Sequence, residues 1–206
     1  MIVAHHPMIF KGVRHLRTDL YDGKMFQLLL SHNIAVYAAH TNLDIAQGGV
    51  NDVLAQAVGL EKIESFVLTN AEKGFSLGRI GYLSQVKSLD EFVMDVKKGL
   101  HISHVRIVRG SNKPVRKVAL CSGAGAEFVA KAAFMGADVY LTGDVKYHEA
   151  QGAVQQGINL IDAGHFGTEF PVVQVLVDYL TAEAAKMKKD LEVITDNISQ
   201  DFFEFC

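Results

Sequence analysis

The chain has 206 residues, carries a formal charge of −3 and is 49% hydrophobic. At roughly 150 residues per domain this is one to two domains, and the apolar fraction supports a full core and excludes a disordered chain. The near-neutral charge, with no Lys/Arg run longer than the Lys97–Lys98 and Lys188–Lys189 pairs, argues against a nucleic-acid binder, and no apolar stretch approaches the ~20 residues of a membrane span.

Cys121 and Cys206 make neither a disulfide framework nor a Cys-type zinc site. No targeting segment is visible ahead of His5-His6, so a cytoplasmic protein is expected. Residues 2–4 are apolar and read as a buried parallel strand. Such a strand needs a neighbour delivered by a crossover, and starting at residue 1 it leaves an edge and a core face to be covered. A partner subunit or a preceding segment is expected to supply that cover, with the preceding segment favoured.

Residues 34–39 form the next expected strand, ending at His40-Thr-Asn-Leu-Asp44, and residues 50–58 repeat their apolar positions at helical spacing. Residues 77–83 alternate as an exposed edge strand would, and Ser88-Leu-Asp-Glu91 is a capping box opening a helix to Leu100. Residues 105–108 and 115–121, joined across Gly110-Ser-Asn-Lys-Pro114, are expected to form a β-hairpin. Three strand-to-helix steps follow. Strand 118–121 yields at Ser122-Gly-Ala-Gly125 to a helix over 127–135. Strand 139–141 yields at Thr142-Gly-Asp144 to a helix over 147–156, closed by Gly157. Strand 158–162 yields at Ala163-Gly-His165 to a helix over 169–187, whose first turn tolerates Pro171.

This alternation predicts an α/β fold of mostly parallel βα units. It divides into an N-terminal α/β lobe over 1–60, an α+β connecting segment over 61–115 and a C-terminal α/β lobe over 116–206, with one composite metal site between the lobes. The strand ends Val36-Tyr-Ala-Ala-His-Thr and Val139-Tyr-Leu-Thr-Gly-Asp give the two-lobe reading a weak internal echo.

Ligands of open parallel sheets bind outside the carboxyl ends of the strands. His5, His6, His40, Asp44, Asp144, His165 and Glu169 all fall within a few residues of expected strand ends. Imidazoles and carboxylates in this number suit divalent metal, and two ions sharing bridging groups would use them better than one. Each residue also has a plainer reading. Adjacent residues on a strand point to opposite faces, so His5 and His6 can both ligate only if the strand ends at His5; Pro7 biases His6 toward an extended conformation. Glu169, at i,i+4 from His165, either ligates or complements a positive helix N-terminus. Asp44 either ligates or shapes the turn before Gly48-Gly49, with Asn51 or Asp52 capping the next helix. Asp144 either joins the rim or caps the helix at Tyr147, and His148 in that helix is expected beside the site rather than on the metal. His15, His32, His101 and His104 lack strand-end context and read as surface or packing residues.

Gly123-Ala-Gly125 lacks the third glycine of a dinucleotide fingerprint and the Lys-Ser/Thr of a P-loop. Its backbone N–H groups remain candidates for an anionic substrate group. No Gly-x-Ser-x-Gly elbow is present and no cysteine sits beside a plausible base, which disfavours covalent catalysis.

Four motifs stand in order: Ile2-Val-Ala-His-His-Pro-Met-Ile-Phe10; His40-Thr-Asn-Leu-Asp44 with Gly48-Gly-Val-Asn-Asp52; Thr142-Gly-Asp-Val-Lys-Tyr-His148; and Asp162-Ala-Gly-His-Phe-Gly-Thr-Glu169. Over essentially the whole chain they resemble the NGG-one-interacting-factor-three-like family, whose bacterial members are called "GTP cyclohydrolase 1 type 2 homologue". The resemblance implies two divalent metal ions (Zn, Fe, Mn, Co or Ni) held by His5, His6, Asp44, His165 and Glu169, with His40, Asp144 and His148 close by. It also implies a small-molecule substrate, nucleotides among the candidates, and a ring-shaped homohexamer. Family members carry an opening helix and a first strand ahead of His-His-Pro, which is the preceding segment expected to be missing here; the ferredoxin-like domain that some members insert is not expected, since the middle segment is short. Two functional classes follow. One is a hydrolase acting by metal-activated water on a purine ring, phosphoester or amide. The other is a non-enzymatic metal-binding or scaffold protein. A nucleotide-binding module built on Gly123 to Gly125 is a third, weaker reading.

Overall fold

Ile2–Ala4 (β1) and Val36–Ala38 (β2) pair in parallel, with Ile2 opposite Val36 and Ala4 opposite Ala38. The crossover between them carries helix α1 (Tyr21–Ser31), and the short helix α2 (Thr41–Asp44) follows β2. The structure, a computed structural model, describes residues 1–70 and 75–205; Cys206, part of the cysteine reading, lies outside the described residues. The chain divides into two units, Met1–Leu43 and Asp44–Cys206, so the boundaries expected near 60 and 115 both fall inside the second.

That second unit is built on one six-stranded sheet, in the order β3-β4-β6-β7-β8-β5. Its elements in chain order are α3 (Val50–Ala57), β3 (Leu60–Asn70), β4 (Phe75–Lys87), α4 (Leu89–Gly99), β5 (Arg106–Val108) and β6 (Val115–Leu120). A 3₁₀ turn at Ala126–Phe128 then leads into α5 (Val129–Phe134), β7 (Val139–Thr142), α6 (Tyr147–Gln155), β8 (Asn159–Asp162), α7 (His165–Glu169) and α8 (Val172–Lys186). The α/β class is as expected, but parallel pairing within this sheet is confined to β6, β7 and β8; β3, β4 and β5 join antiparallel.

Two strand assignments change. The expected hairpin between 105–108 and 115–121 does not form. Instead β6 lies inside the sheet between β4 and β7, while β5 pairs antiparallel with β8 at the far edge. Burial explains the difference: Val115, Val118, Ala119 and Leu120 are all fully buried, which requires cover on both faces and neighbours on both sides. Residues 77–83, expected at an edge, lie in β4, inside the sheet. The edge is β3, whose Glu61, Lys62 and Glu64 are the charged residues that keep an edge strand from pairing further.

Alternate residues of the parallel strands feed two cores. Val118, Leu120, Val139, Leu141 and Ile161 pack with Leu54, Phe92 and Val96. Ala119, Tyr140 and Leu160 pack on the opposite face with Phe66, Ile80 and Val129. The capping box opening α4 is present in full: Ser88 Oγ accepts the Glu91 N–H at 3.2 Å and Glu91 Oε2 accepts the Ser88 N–H at 2.7 Å. Among the described residues, no helix is long and apolar enough to cross a membrane.

Candidate metal centre

In the first unit, β1 stops at Ala4, so His5 and His6 leave the pleat and are not forced to opposite faces. Their ring centroids lie 5.0 Å apart, and His40, two residues beyond β2, stands 5.4 Å from His5 and 5.5 Å from His6. His5 Nδ1 is 2.7 Å from the Ala39 carbonyl oxygen. A carbonyl can only accept, so the proton sits on Nδ1 and the lone pair that a metal would take sits on Nε2.

In the second unit, the ends of β7 and β8 meet. Asp144 adopts a left-handed backbone (φ 54°) and its Oδ2 lies 2.7 Å from His165 Nδ1. One turn along α7, Glu169 Oε1 lies 3.1 Å from His165 Nε2. His165 therefore stands between two carboxylates. The Glu169 hydrogen bond, helped by Asp144 and opposed by burial, raises its pKa to about 9. Asp144 is not the cap of α6, because Lys146 heads that helix and Glu149 Oε2 accepts its N–H at 2.7 Å. His148 is exposed on α6 and meets Tyr147, ring to ring at 5.5 Å, and Gln151.

Asp44 is buried at the end of α2. Its carbonyl accepts from Asn51 Nδ2 at 3.1 Å, and Asn51 Oδ1 accepts the Ser122 N–H at 2.9 Å. This fully buried asparagine, read from sequence as a cap, instead joins the Asp44 turn to the end of β6. Burial first, and then the charges of Asp44, Glu127 and Glu169, push the Cys121 thiol up to about 12, so it stays protonated and is no nucleophile.

Gly123, three residues beyond β6, has φ +60°, and a Cβ there would overlap Glu169 Oε1 and stand 3.2 Å from His165 Nε2. Two of the loop's N–H groups are already used: Gly123 donates to Thr168 Oγ1 at 2.9 Å and Gly125 to Thr142 Oγ1 at 3.0 Å. These two donors, expected as part of an anion cradle, instead hold the loop against α7 and β7. Gly123 makes room for the carboxylate and imidazole, while Gly125 lies against Cys121 and Thr142, and these roles leave no motif in the sequence. Each unit by itself offers donors that fit a divalent ion: in the first the imidazoles of His5 and His6, with the tautomer fixed at His5, and in the second His165 and Glu169, with the room left at Gly123.

Metal uptake at His165 would compete with its Nε2 proton. Affinity is expected to climb about tenfold per pH unit up to about pH 9 and then level off. A chelator-competition titration checks this, and a flat profile would remove His165 from the ligands. Folding stability of the metal-free protein runs the other way. The raised pKa contributes stability that is complete below the ordinary value of 6.5 and lost as pH rises through about 9.

The Duf34/NIF3 (NGG1p interacting factor 3) family model matches residues 1–201. A Clostridium acetobutylicum protein named "GTP cyclohydrolase 1 type 2 homolog" is 34% identical over 206 residues, covering 100% of this chain and 77% of its own length. A Nostoc protein of the same name is 36% identical over 182 residues, covering 87% of this chain and 68% of its own. Among solved structures, a Bacillus cereus protein related to NIF3 superposes with a TM-score of 0.92 at 27% identity, covering 100% of this chain and 82% of that one. With matches of this extent at the level of sequence and of fold, the chain belongs to the Duf34/NIF3 (NGG1p interacting factor 3) family.

Proposed function

We propose that this protein is a metal-dependent hydrolase whose two divalent ions are held by His5, His6, Asp44, His165 and Glu169. The observation that carries the reading is His165, braced at Nδ1 by Asp144 and facing Glu169 with Nε2. A carboxylate on the far nitrogen fixes the tautomer and direction of a ligating imidazole and raises its basicity. His5 is braced in the same way by the Ala39 carbonyl. Histidines with carboxylates accept Zn, Fe, Mn, Co or Ni, and availability decides among them. When bound, such ions supply an activated water and a polarised electrophile.

The remaining residues supply orientation and proton movement. His40, half-buried beside His5 and His6, has a ring that can both donate and accept a hydrogen bond beside the bound substrate. The relatives' name, "GTP cyclohydrolase 1 type 2 homolog", supports hydrolytic opening of a purine nucleotide; phosphoester and amide hydrolysis use the same activated water. A cytoplasmic homohexamer completes the reading.

The test is elemental analysis of freshly purified protein beside its His165→Ala variant, followed by a panel of nucleotides, phosphoesters and amides. About two metals per chain, fewer in the variant, with turnover in the panel, is the expected result. Metal near zero in both would overturn the site. Metal without any turnover would remove the hydrolase and leave a metal-binding protein, whose melting temperature should then fall strongly in His5→Ala and Asp44→Ala.

A further inference from the structure

Asp162, the last residue of β8, is a carboxylate only 6% exposed that is not among the candidate ligands. Its Oδ2 accepts the Val145 N–H at 3.1 Å and its Oδ1 accepts the Gly164 N–H at 3.0 Å. The Arg106 guanidinium, from β5, completes the set by pairing with Oδ2 and donating to the Val145 carbonyl at 2.8 Å. Val145 directly follows Asp144, and Gly164 directly precedes His165. One carboxylate thus fixes both turns from which the Asp144–His165 contact is made.

Those turns need fixing. Asp144 at φ 54° and Gly164 at φ 76° both lie in the left-handed region, which a non-glycine residue occupies at a cost that its surroundings must hold in place. They also touch: a Cβ on Gly143 would fall 2.7 Å from the Gly164 carbonyl carbon and 2.8 Å from the His165 nitrogen. A shift of either turn would move Asp144 Oδ2 against His165 Nδ1. The Arg106 side chain is 65% exposed, so the ion pair itself contributes little to stability, and the function of Asp162 is one of placement.

We propose that Asp162 is a positioning residue for metal capture, holding the two turns so that Asp144 aims the Nε2 of His165 at the ion. The inference rests on the metal reading above and extends it to a residue outside the ligand set. In Asp162→Asn one oxygen remains to accept, and the amide NH₂ faces the second backbone N–H, so one turn loses its anchor.

The experiment measures zinc affinity by chelator competition for the full-length wild type, Asp162→Asn, Asp144→Asn and the double variant, with melting curves of the metal-free proteins alongside. Each single change is expected to weaken zinc about 10- to 100-fold. The double variant should be no weaker than the poorer single one, because Asp162 acts through Asp144. Wild-type affinity in Asp162→Asn, or losses that simply multiply in the double variant, would overturn the role. Wild-type protein that takes up no zinc would overturn the metal reading itself, a result distinguishable from either. If Asp162→Asn fails to fold, Arg106→Met removes only the exposed cation. A several-fold weaker zinc affinity at unchanged melting temperature then supports the role, and unchanged affinity overturns it.

Discussion

The Gly123→Ala variant is expected to lose metal retention while keeping its sheet. Gly123 has φ +60°, where a Cβ costs about 1–2 kcal/mol. The new methyl would also overlap Glu169 Oε1 and crowd His165 Nε2 at 3.2 Å. The loop has little freedom to retreat. Its N–H is bonded to Thr168 Oγ1, and its carbonyl accepts from Gly143 N at 2.8 Å and Thr142 Oγ1 at 3.2 Å. Glu169 must therefore swing away from the position in which it faces His165. A loss of metal affinity of at least 10-fold is expected, the scale of a displaced supporting group, with a stability loss of only about 1–2 kcal/mol. Elemental analysis and urea unfolding on the same preparation separate the two effects. Full metal content in the variant would mean that Glu169 is not a ligand.

Much of this arrangement was legible in the sequence where the chain alternates strand and helix. Around β7 and β8 the apolar runs stop at Thr142-Gly-Asp144 and Ala163-Gly-His165, and these ends do converge, bringing Asp144 onto His165. The i,i+4 spacing of His165 and Glu169 is realised as a true helical turn, α7, with Pro171 at the head of α8. Strand β3 was hidden because Glu61, Lys62 and Glu64 interrupt its first half and leave only the short apolar run Phe66-Val-Leu68. The false hairpin arose because proximity in sequence suggested pairing, whereas the burial of both faces of β6 required partners from elsewhere. Asn51 and Asp162 were invisible as supports for a related reason. A polar residue at a helix start or a strand end has an ordinary local explanation, and the partners that give it its actual role are Ser122, Val145 and Arg106. What the sequence does show at Asp162 is a charge closing the apolar run Ile158-Asn-Leu-Ile, a position where burial demands several donors.

The second large effect is expected at Arg79→Met. Arg79 lies on β4, 7% exposed, and its guanidinium pairs with both oxygens of Asp52, with Nη2 to Oδ2 at 3.1 Å. It also donates to the Ser76 and Gly78 carbonyls at 2.9 and 2.8 Å, and more weakly to Ala46 at 3.4 Å. Asp52 in turn accepts the Gly48 N–H at 2.7 Å. Removing the cation leaves a largely buried carboxylate and two carbonyls without their donor, which for a broken buried pair costs about 3–5 kcal/mol. Removing both charges, in Arg79→Met with Asp52→Leu, should cost clearly less than the two single changes summed, and equilibrium urea unfolding of the four proteins reads the difference. The pair reaches the candidate metal centre as well, because Ala46 and Gly48 belong to the turn that runs from Asp44 into α3. A destabilised but folded Arg79→Met protein should therefore also bind metal more weakly. If its metal affinity matched the wild type, the Asp44 turn would be held by Asn51 alone, and the ion pair would serve only to fasten α3 to the sheet.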